Sequence, residues 1–312
     1  MITLRMSAYF ELAIAAVLVG SSVVVGKITT MQMPVFLSQA VSLAIALMLL
    51  IPIVVMNRNE SILVGKRDFL FLFLQSFLGM FLFRVFLLYG LRSAPAAEAG
   101  IVTSLTPAVV ALLSFVFLRE KITTRLVIGI FCSLLGVVSI QVPSWFFPDP
   151  SIQSYASYGG LFLILMAVIG EAMLTILRKM TTSNVSSLLG TTYVTLFSFL
   201  MFLPFALAEA RQFEFVHISF GDIGLLLYYG IFVTALAYLL WFRGVSKVSA
   251  GTAAVYTSCI PVSTLLLSYV VLHEPFSLAH IVGVLFVFVG IWQVSRNPAP
   301  ETCSVLGNEL DC

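Results

Sequence analysis

Residues 90–121 read GLRSAPAAEAGIVTSLTPAVVALLSFVFLREK, and residues 244–275 read GVSKVSAGTAAVYTSCIPVSTLLLSYVVLHEP. The second stretch repeats the first at an offset of 154 residues, and between Gly90 and Gly136 14 of 47 positions match their partners without a gap. Thr103-Ser104 pairs with Thr257-Ser258, Pro107 with Pro261, Leu112-Leu113-Ser114 with Leu266-Leu267-Ser268, and Glu120 with Glu274. Gly129 and Gly136 pair with Gly283 and Gly290. A shared apolar composition produces chance matches of Leu and Val. It does not readily produce paired Pro, Glu and Gly in one register.

Around this repeat the chain is strongly apolar. Hydrophobic residues make up 60% of it and charged residues 10%, against about 25% charged in ordinary soluble domains. Lipid as solvent permits such a surface. A spanning helix needs about 20 mostly apolar residues, and ten such runs are legible: 9–27, 34–56, 69–90, 95–118, 123–142, 157–179, 187–208, 221–242, 249–272 and 277–295. Membrane β-strands would show short alternating segments instead. The predicted fold is an all-α integral membrane protein with ten transmembrane helices. The repeat divides it into a first five-helix unit at 1–143, an outer linker at 144–156, a second five-helix unit at 157–296 and a disordered cytoplasmic tail at 297–312. Five is odd, so the second copy enters the membrane upside down. Inverted repeats around a midplane site are a recurring plan of secondary transporters.

Charge sets the orientation. With the N-terminus in the cytoplasm, twelve of the sixteen Lys and Arg fall in cytoplasmic segments and three (Lys27, Arg92, Arg211) in outer ones, while Arg84 lies inside the third run. That bias places both termini inside. The segment Met1–Phe10 has no signal-peptide pattern and opens the first helix. A net charge of +2 gives no case for nucleic acid. Cys132, Cys259, Cys303 and Cys312 have neither disulfide-framework nor metal spacing. His217, His273 and His280 are scattered. With no HExxH, phosphate loop or GxSxG, neither a metal, a cofactor nor an enzyme activity is expected. The lack of a phosphate loop points to an ion gradient or exchange as the drive.

The strings Gly90-Leu91-Arg92-Ser93-Ala94, Thr103-Ser104-Leu105-Thr106-Pro107 and Phe117-Leu118-Arg119-Glu120-Lys121 resemble the fourth-helix signature of the EamA family, of the drug/metabolite transporter superfamily. The second copy has the same form from Gly244 through Pro261 to Leu272-His273-Glu274. Gly20-Ser21-Ser22 with Lys27 is similar to the family's first-helix pattern, though Val19 stands where a tryptophan is usual, and Gly170-Glu171-Ala172 resembles the sixth helix of some members. The resemblance covers almost all of 9–295. It implies a ten-helix transporter in the inner membrane of a bacterium, exporting amino acids, metabolites or drugs.

Candidate path residues follow from polarity inside the apolar runs. Thr103, Pro107 and Ser114 share one helical face with Val110, and Thr257, Pro261, Thr264 and Ser268 share another. Each proline frees a carbonyl near mid-membrane, which either lines a cavity or belongs to a close helix contact that small hydroxyl residues allow. Arg84 either binds a substrate carboxylate, pairs with Glu171 in a gate, or snorkels to the headgroups. Glu171, near the middle of its run, is too short to snorkel. It could exchange a proton with a substrate or couple transport to a proton gradient; the structural alternative is a pair with Arg84 or a backbone carbonyl. Tyr229 and Tyr256, with Tyr228, either face the path, where a ring can stack on a substrate, or pack. Arg92 and Glu98 read as interfacial charges, Trp145, Phe146, Phe147, Trp241 and Trp292 as interfacial anchors. Glu120 and Glu274 read as charges near the starts of the fifth and tenth helices, and the paired glycines as close helix contacts.

The function expected is a secondary transporter working by alternating access, an exporter of amino acids or related metabolites, with the lipid bilayer, a small-molecule substrate and a proton as coupling ion for partners. The alternatives are a drug or nucleotide-sugar carrier and a non-transporting membrane scaffold or receptor.

Overall fold

A computed structural model of the chain describes residues 2–57, 63–93, 102–103, 105–146, 158–182, 184–214, 218–267, 270 and 278–295. The expectations at Glu98, Glu274, His217, His273, Phe147 and the tail at 297–312 lie outside the described residues. Every regular element among them is helical, because a backbone in hydrocarbon must satisfy its own hydrogen bonds.

The first helix, α1, spans Ile2–Gln32, well beyond the apolar run at 9–27. Nothing interrupts its ladder until Pro34, which precedes α2 (Val35–Met56) and lacks the amide needed to continue. The third run is not plain α-helix. α3 (Lys66–Ser76) passes through a π-helical segment, Phe77–Leu82, into α4 (Phe83–Ser93). Its repeat partner does the same: α9 (Phe220–Tyr228), whose polypeptide enters α10 (Ala237–Lys247) through the π-helical Tyr229–Leu236. Between these lie α5 (Thr106–Leu118), α6 (Thr124–Phe146), α7 (Tyr158–Met180) and α8 (Ser187–Ala210), and after them α11 (Ala250–Thr257), α12 (Cys259–Leu267) and α13 (Leu278–Ser295). α6 continues to Phe146, past the end of the fifth run at 142 and into the stretch expected to be linker. The fourth and ninth runs, expected as unbroken spans, are interrupted at Leu105 and at Ser258.

Five stretches are long and apolar enough to cross a membrane: Val35–Met56, Lys66–Leu87, Tyr158–Met180, Ser187–Ala210 and Phe220–Lys247. Shorter apolar helices add Met6–Ser22, Thr106–Leu118, Thr124–Gly136 and Ile281–Gln293. The chain is a multi-pass helical membrane protein.

The two halves interlock. α1 packs on α10 and α12, and α7, its counterpart at the 154 offset, packs on α4 and α5. The π segment at Phe77–Leu82 lies against α7 and α8, and that at Tyr229–Leu236 against α1 and α2. α2 pairs with α8, and α6 with α13. Each of these contacts joins one half to the other. Glycines set the approach, as expected where lipid removes the usual drive for burial. A Cβ on Gly136 would meet Gly283 O at 2.6 Å, and one on Gly290 would meet Gly129 O at 2.7 Å. Those are the four glycines of the sequence repeat, facing one another in reciprocal order. A Cβ on Gly170 would meet Leu78 O at 2.5 Å, and one on Gly230 would meet Ser42 O at 2.7 Å, so each π segment lies nearly backbone to backbone with a neighbour.

Candidate functional site

Arg84 is the second residue of α4 and Tyr238 the second of α10; they occupy equivalent places in the repeat. Each follows a π segment, where i→i+5 bonding admits an extra residue and turns the following side chains to a new face. These two side chains are within hydrogen-bonding reach of each other. Arg84 is 7% exposed. Its Nη1 donates to Gln39 Oε1 from α2, and its guanidinium sits 5.7 Å from the ring centroid of Tyr229. Gln39, Tyr229 and Tyr238 are all uncharged. An unpaired Arg at the bilayer centre costs at least about 2.5–3.5 kcal/mol, and a ring contact returns about 0.5–2 kcal/mol of it. Arg84 points inward to these groups rather than snorkelling.

Glu171 lies on α7 beside Gly170, partly buried, and its Oε2 accepts from Thr106 Oγ1 at 3.1 Å. Thr106 Oγ1 also lies 2.9 Å from Thr103 O. One hydroxyl proton serves only one acceptor fully at a time, so Glu171 shares its donor with a backbone carbonyl. A Cβ on Gly170, the neighbour of Glu171, would lie 3.6 Å from Phe83 Cβ, the neighbour of Arg84, so the two ionisable residues flank one close contact between α7 and α4. They are not joined by an ion pair; each has its own neutral partners.

Thr103 stands two residues before the interruption at Leu105 and is partly buried. Pro107 is buried in the first turn of α5, where a missing N–H breaks no bond. The Thr103 carbonyl, four residues earlier, accepts from the Thr106 hydroxyl at 2.9 Å. Ser114 bonds back to Ala111 O at 2.8 Å and Thr257 to Ala254 O at 2.6 Å. Pro261 is partly buried early in α12. Thr264 donates to Gly20 O on α1 at 2.9 Å and is 3.1 Å from Ile260 O. Tyr256 stacks on Tyr9 with centroids 5.7 Å apart. The structure thus gathers Arg84, Tyr229, Glu171 and the Thr103–Pro107 corner, while Ser114, Tyr256, Thr257 and Thr264 are engaged in local or helix-to-helix contacts.

Gln39, Thr106 and Tyr238 were not singled out from the sequence. Gln39 was legible as an amide inside an apolar run, and Tyr238 as the repeat partner of Arg84. A polar network ties one end of the bundle. Glu11 on α1 holds Lys247 at 2.7 Å and Arg243 at 3.3 Å, both on α10. Asp68 on α3 accepts from Thr182 N at 3.0 Å and Thr182 Oγ1 at 2.7 Å. Arg178, 5% exposed, donates to Ser187 Oγ at 3.1 Å and faces the Phe242 ring at 5.2 Å.

Comparison with known proteins agrees with this architecture. The profile of the EamA-like transporter family matches residues 6–141 and again 158–296. The uncharacterized transporter YetK of Bacillus subtilis is 42% identical over 288 residues, 92% of this chain and 86% of its own length. An uncharacterized transporter of Archaeoglobus fulgidus is 32% identical over 242 residues, covering 75% of this chain and 82% of its own. One crystal structure of a protein shares the fold with a TM-score of 0.75, at 20% identity, over 94% of this chain and 96% of that one. With a doubled profile match and a relative of this similarity along nearly its whole length, the chain belongs to the EamA-like transporter family.

Proposed function

We propose that the protein is a secondary transporter that exports amino acids or closely related metabolites, working by alternating access with ten spans in two inverted halves and both termini in the cytoplasm. The observation that carries this reading is the centre between the two π segments. It holds a buried cation, Arg84, with the neutral partners Gln39 and Tyr229, and a carboxyl, Glu171, that accepts from a hydroxyl shared with a backbone carbonyl. A transported molecule with a carboxylate and an amino group complements both. Arg84 takes the carboxylate through its planar fork. Glu171 takes the amino group or a proton, which gives coupling to the proton gradient. Tyr229 and Tyr238 supply ring faces and hydroxyls beside them, and Thr103, Thr106 and Pro107 form the corner below.

The interlocked halves support alternating access, since two like units with crosswise packing can exchange which end is closed. The single-residue departures from α-helical bonding at Leu105 and Ser258, each shortly before a proline, support it further, because a helix bends most readily at such a point. A resistance screen on cells overproducing the protein tests the reading. Toxic amino-acid analogues should be tolerated at raised concentration, and the matching amino acid should accumulate in the medium. Unchanged sensitivity to all of them, with protein present in the membrane, removes the amino-acid reading.

A further inference from the structure

Glu120 lies in the turn between α5 and α6, yet its carboxylate serves the other half of the molecule. Oε1 accepts from Ala250 N–H at 3.0 Å and Oε2 from Gly251 N–H at 3.3 Å. Ser249 Oγ takes the next amide, Thr252 N–H, at 3.1 Å. The first amides of a helix have no partner within it, so α11 depends for two of them on a side chain 130 residues away. The neighbour of Glu120, Arg119, closes α5 as a left-handed C-cap, φ 54°, with Glu120 N–H donating to Ser114 O at 3.3 Å, so the carboxylate starts from a fixed helix end. Among the described residues that is the one non-glycine in the left-handed region.

α11 suits movement. It has eight residues, all buried, mostly small, and it passes at Ser258 into α12 three residues before Pro261. Pro261 has no N–H to donate to the Thr257 carbonyl, so the joint from α11 into α12 lacks one ladder bond and can bend there. The neighbouring Glu11–Lys247 and Glu11–Arg243 bridges close the same end of the bundle.

We infer that α11 is the gate at this end of the path and Glu120 is its latch, holding α11 shut by capping Ala250 and Gly251 from the opposite half. The inference rests on the transport reading above. It requires that release of the two amides precede opening at this end.

Cys259, half-buried next to that joint, is a native reporter. The full-length chain with Cys132→Ser, Cys303→Ser and Cys312→Ser is placed in right-side-out and in inside-out vesicles, and the rate of Cys259 labelling by a membrane-impermeant maleimide is measured. Glu120→Ala should raise the rate about tenfold from one face only, the factor that loss of a charge-assisted hydrogen bond brings to an opening equilibrium. Glu120→Gln keeps one acceptor oxygen and should raise it less. It also serves as the arm to read where the alanine variant does not elute like the parent. Rates unchanged in both variants, or raised from both faces alike, overturn the latch. Acceleration from one face in a protein that exchanges no amino acid across the vesicle membrane upholds the latch and sinks the transport reading instead.

Discussion

Replacing Arg84 by methionine removes the buried charge while keeping a long, flexible side chain in the same space. In the resting centre, Arg84 donates to Gln39 and faces Tyr229, so the substitution strands one amide oxygen and relieves one buried cation. These effects oppose each other, at about 1–3 kcal/mol each, and membrane yield and thermal stability should change little. Substrate binding is different. A carboxylate held by the guanidinium gains charge-assisted hydrogen bonds of about 1.5–3 kcal/mol each, and loss of two leaves a deficit of about 3 kcal/mol or more. At about 1.4 kcal/mol per factor of ten, the variant should bind its amino acid at least roughly a hundredfold more weakly. Arg84→Lys should recover only part of this, because an ammonium cannot present the planar fork. The assay is ligand-induced thermal shift of detergent-purified protein against the individual amino acids, followed by counterflow in reconstituted vesicles. A ligand at a hundred times its Kd should stabilise the parent by about 2.7 kcal/mol and Arg84→Met by almost nothing. If the methionine variant shows the full shift and counterflow within twofold of the parent, Arg84 does not touch the substrate.

Glu171→Gln keeps a side chain able to accept from Thr106 but cannot release a proton; it should leave exchange of amino acid for amino acid intact while abolishing accumulation driven by an imposed pH gradient. Unaltered gradient-driven transport across the pH range takes Glu171 out of the mechanism. Gly170→Ala places a methyl 2.5 Å from Leu78 O, a backbone atom, and should cost about 1–3 kcal/mol of stability, visible as a lowered melting temperature in detergent. Tags placed in the 143–156 segment and at the C-terminus should be reached from opposite faces of the membrane; the same face for both removes the inverted arrangement.

Much of the architecture was readable from residues 90–136 and their echo. The apolar runs located the helices, and the glycines at 129, 136, 283 and 290 marked two faces of close helix contact, while only packing shows that these two faces meet each other. The two π segments were not readable. An i→i+5 turn changes which residues share a face without changing how apolar they are, so hydropathy carries no trace of it. The partners of Arg84 were hidden for a related reason. Gln39, Tyr229 and Tyr238 lie on two helices far apart in the chain, and only packing decides which faces meet. Ion pairing with Glu171 was a reasonable expectation from depth alone, but the extra π turns set Arg84 toward α2 and α10 while Glu171 faces α5. Glu120 shows the same limit. Its position before α6 suggested a charge at the start of that helix. Its carboxylate caps the first amides of α11 instead.

The crosswise pairing of halves bears on how the molecule is made. A ribosome releases α1 through α6 before any of α7 through α13 exists, so α1 enters the bilayer with neither α10 nor α12 to rest on, and the glycine-lined groove of α6 faces lipid until α13 arrives. The early half therefore waits as an open scaffold. Maturation is a late docking event in which the second half threads its faces into places left by the first. Lesions near the end of the chain, such as a bulky residue at Gly290, should thus be felt at the α6 surface made long before.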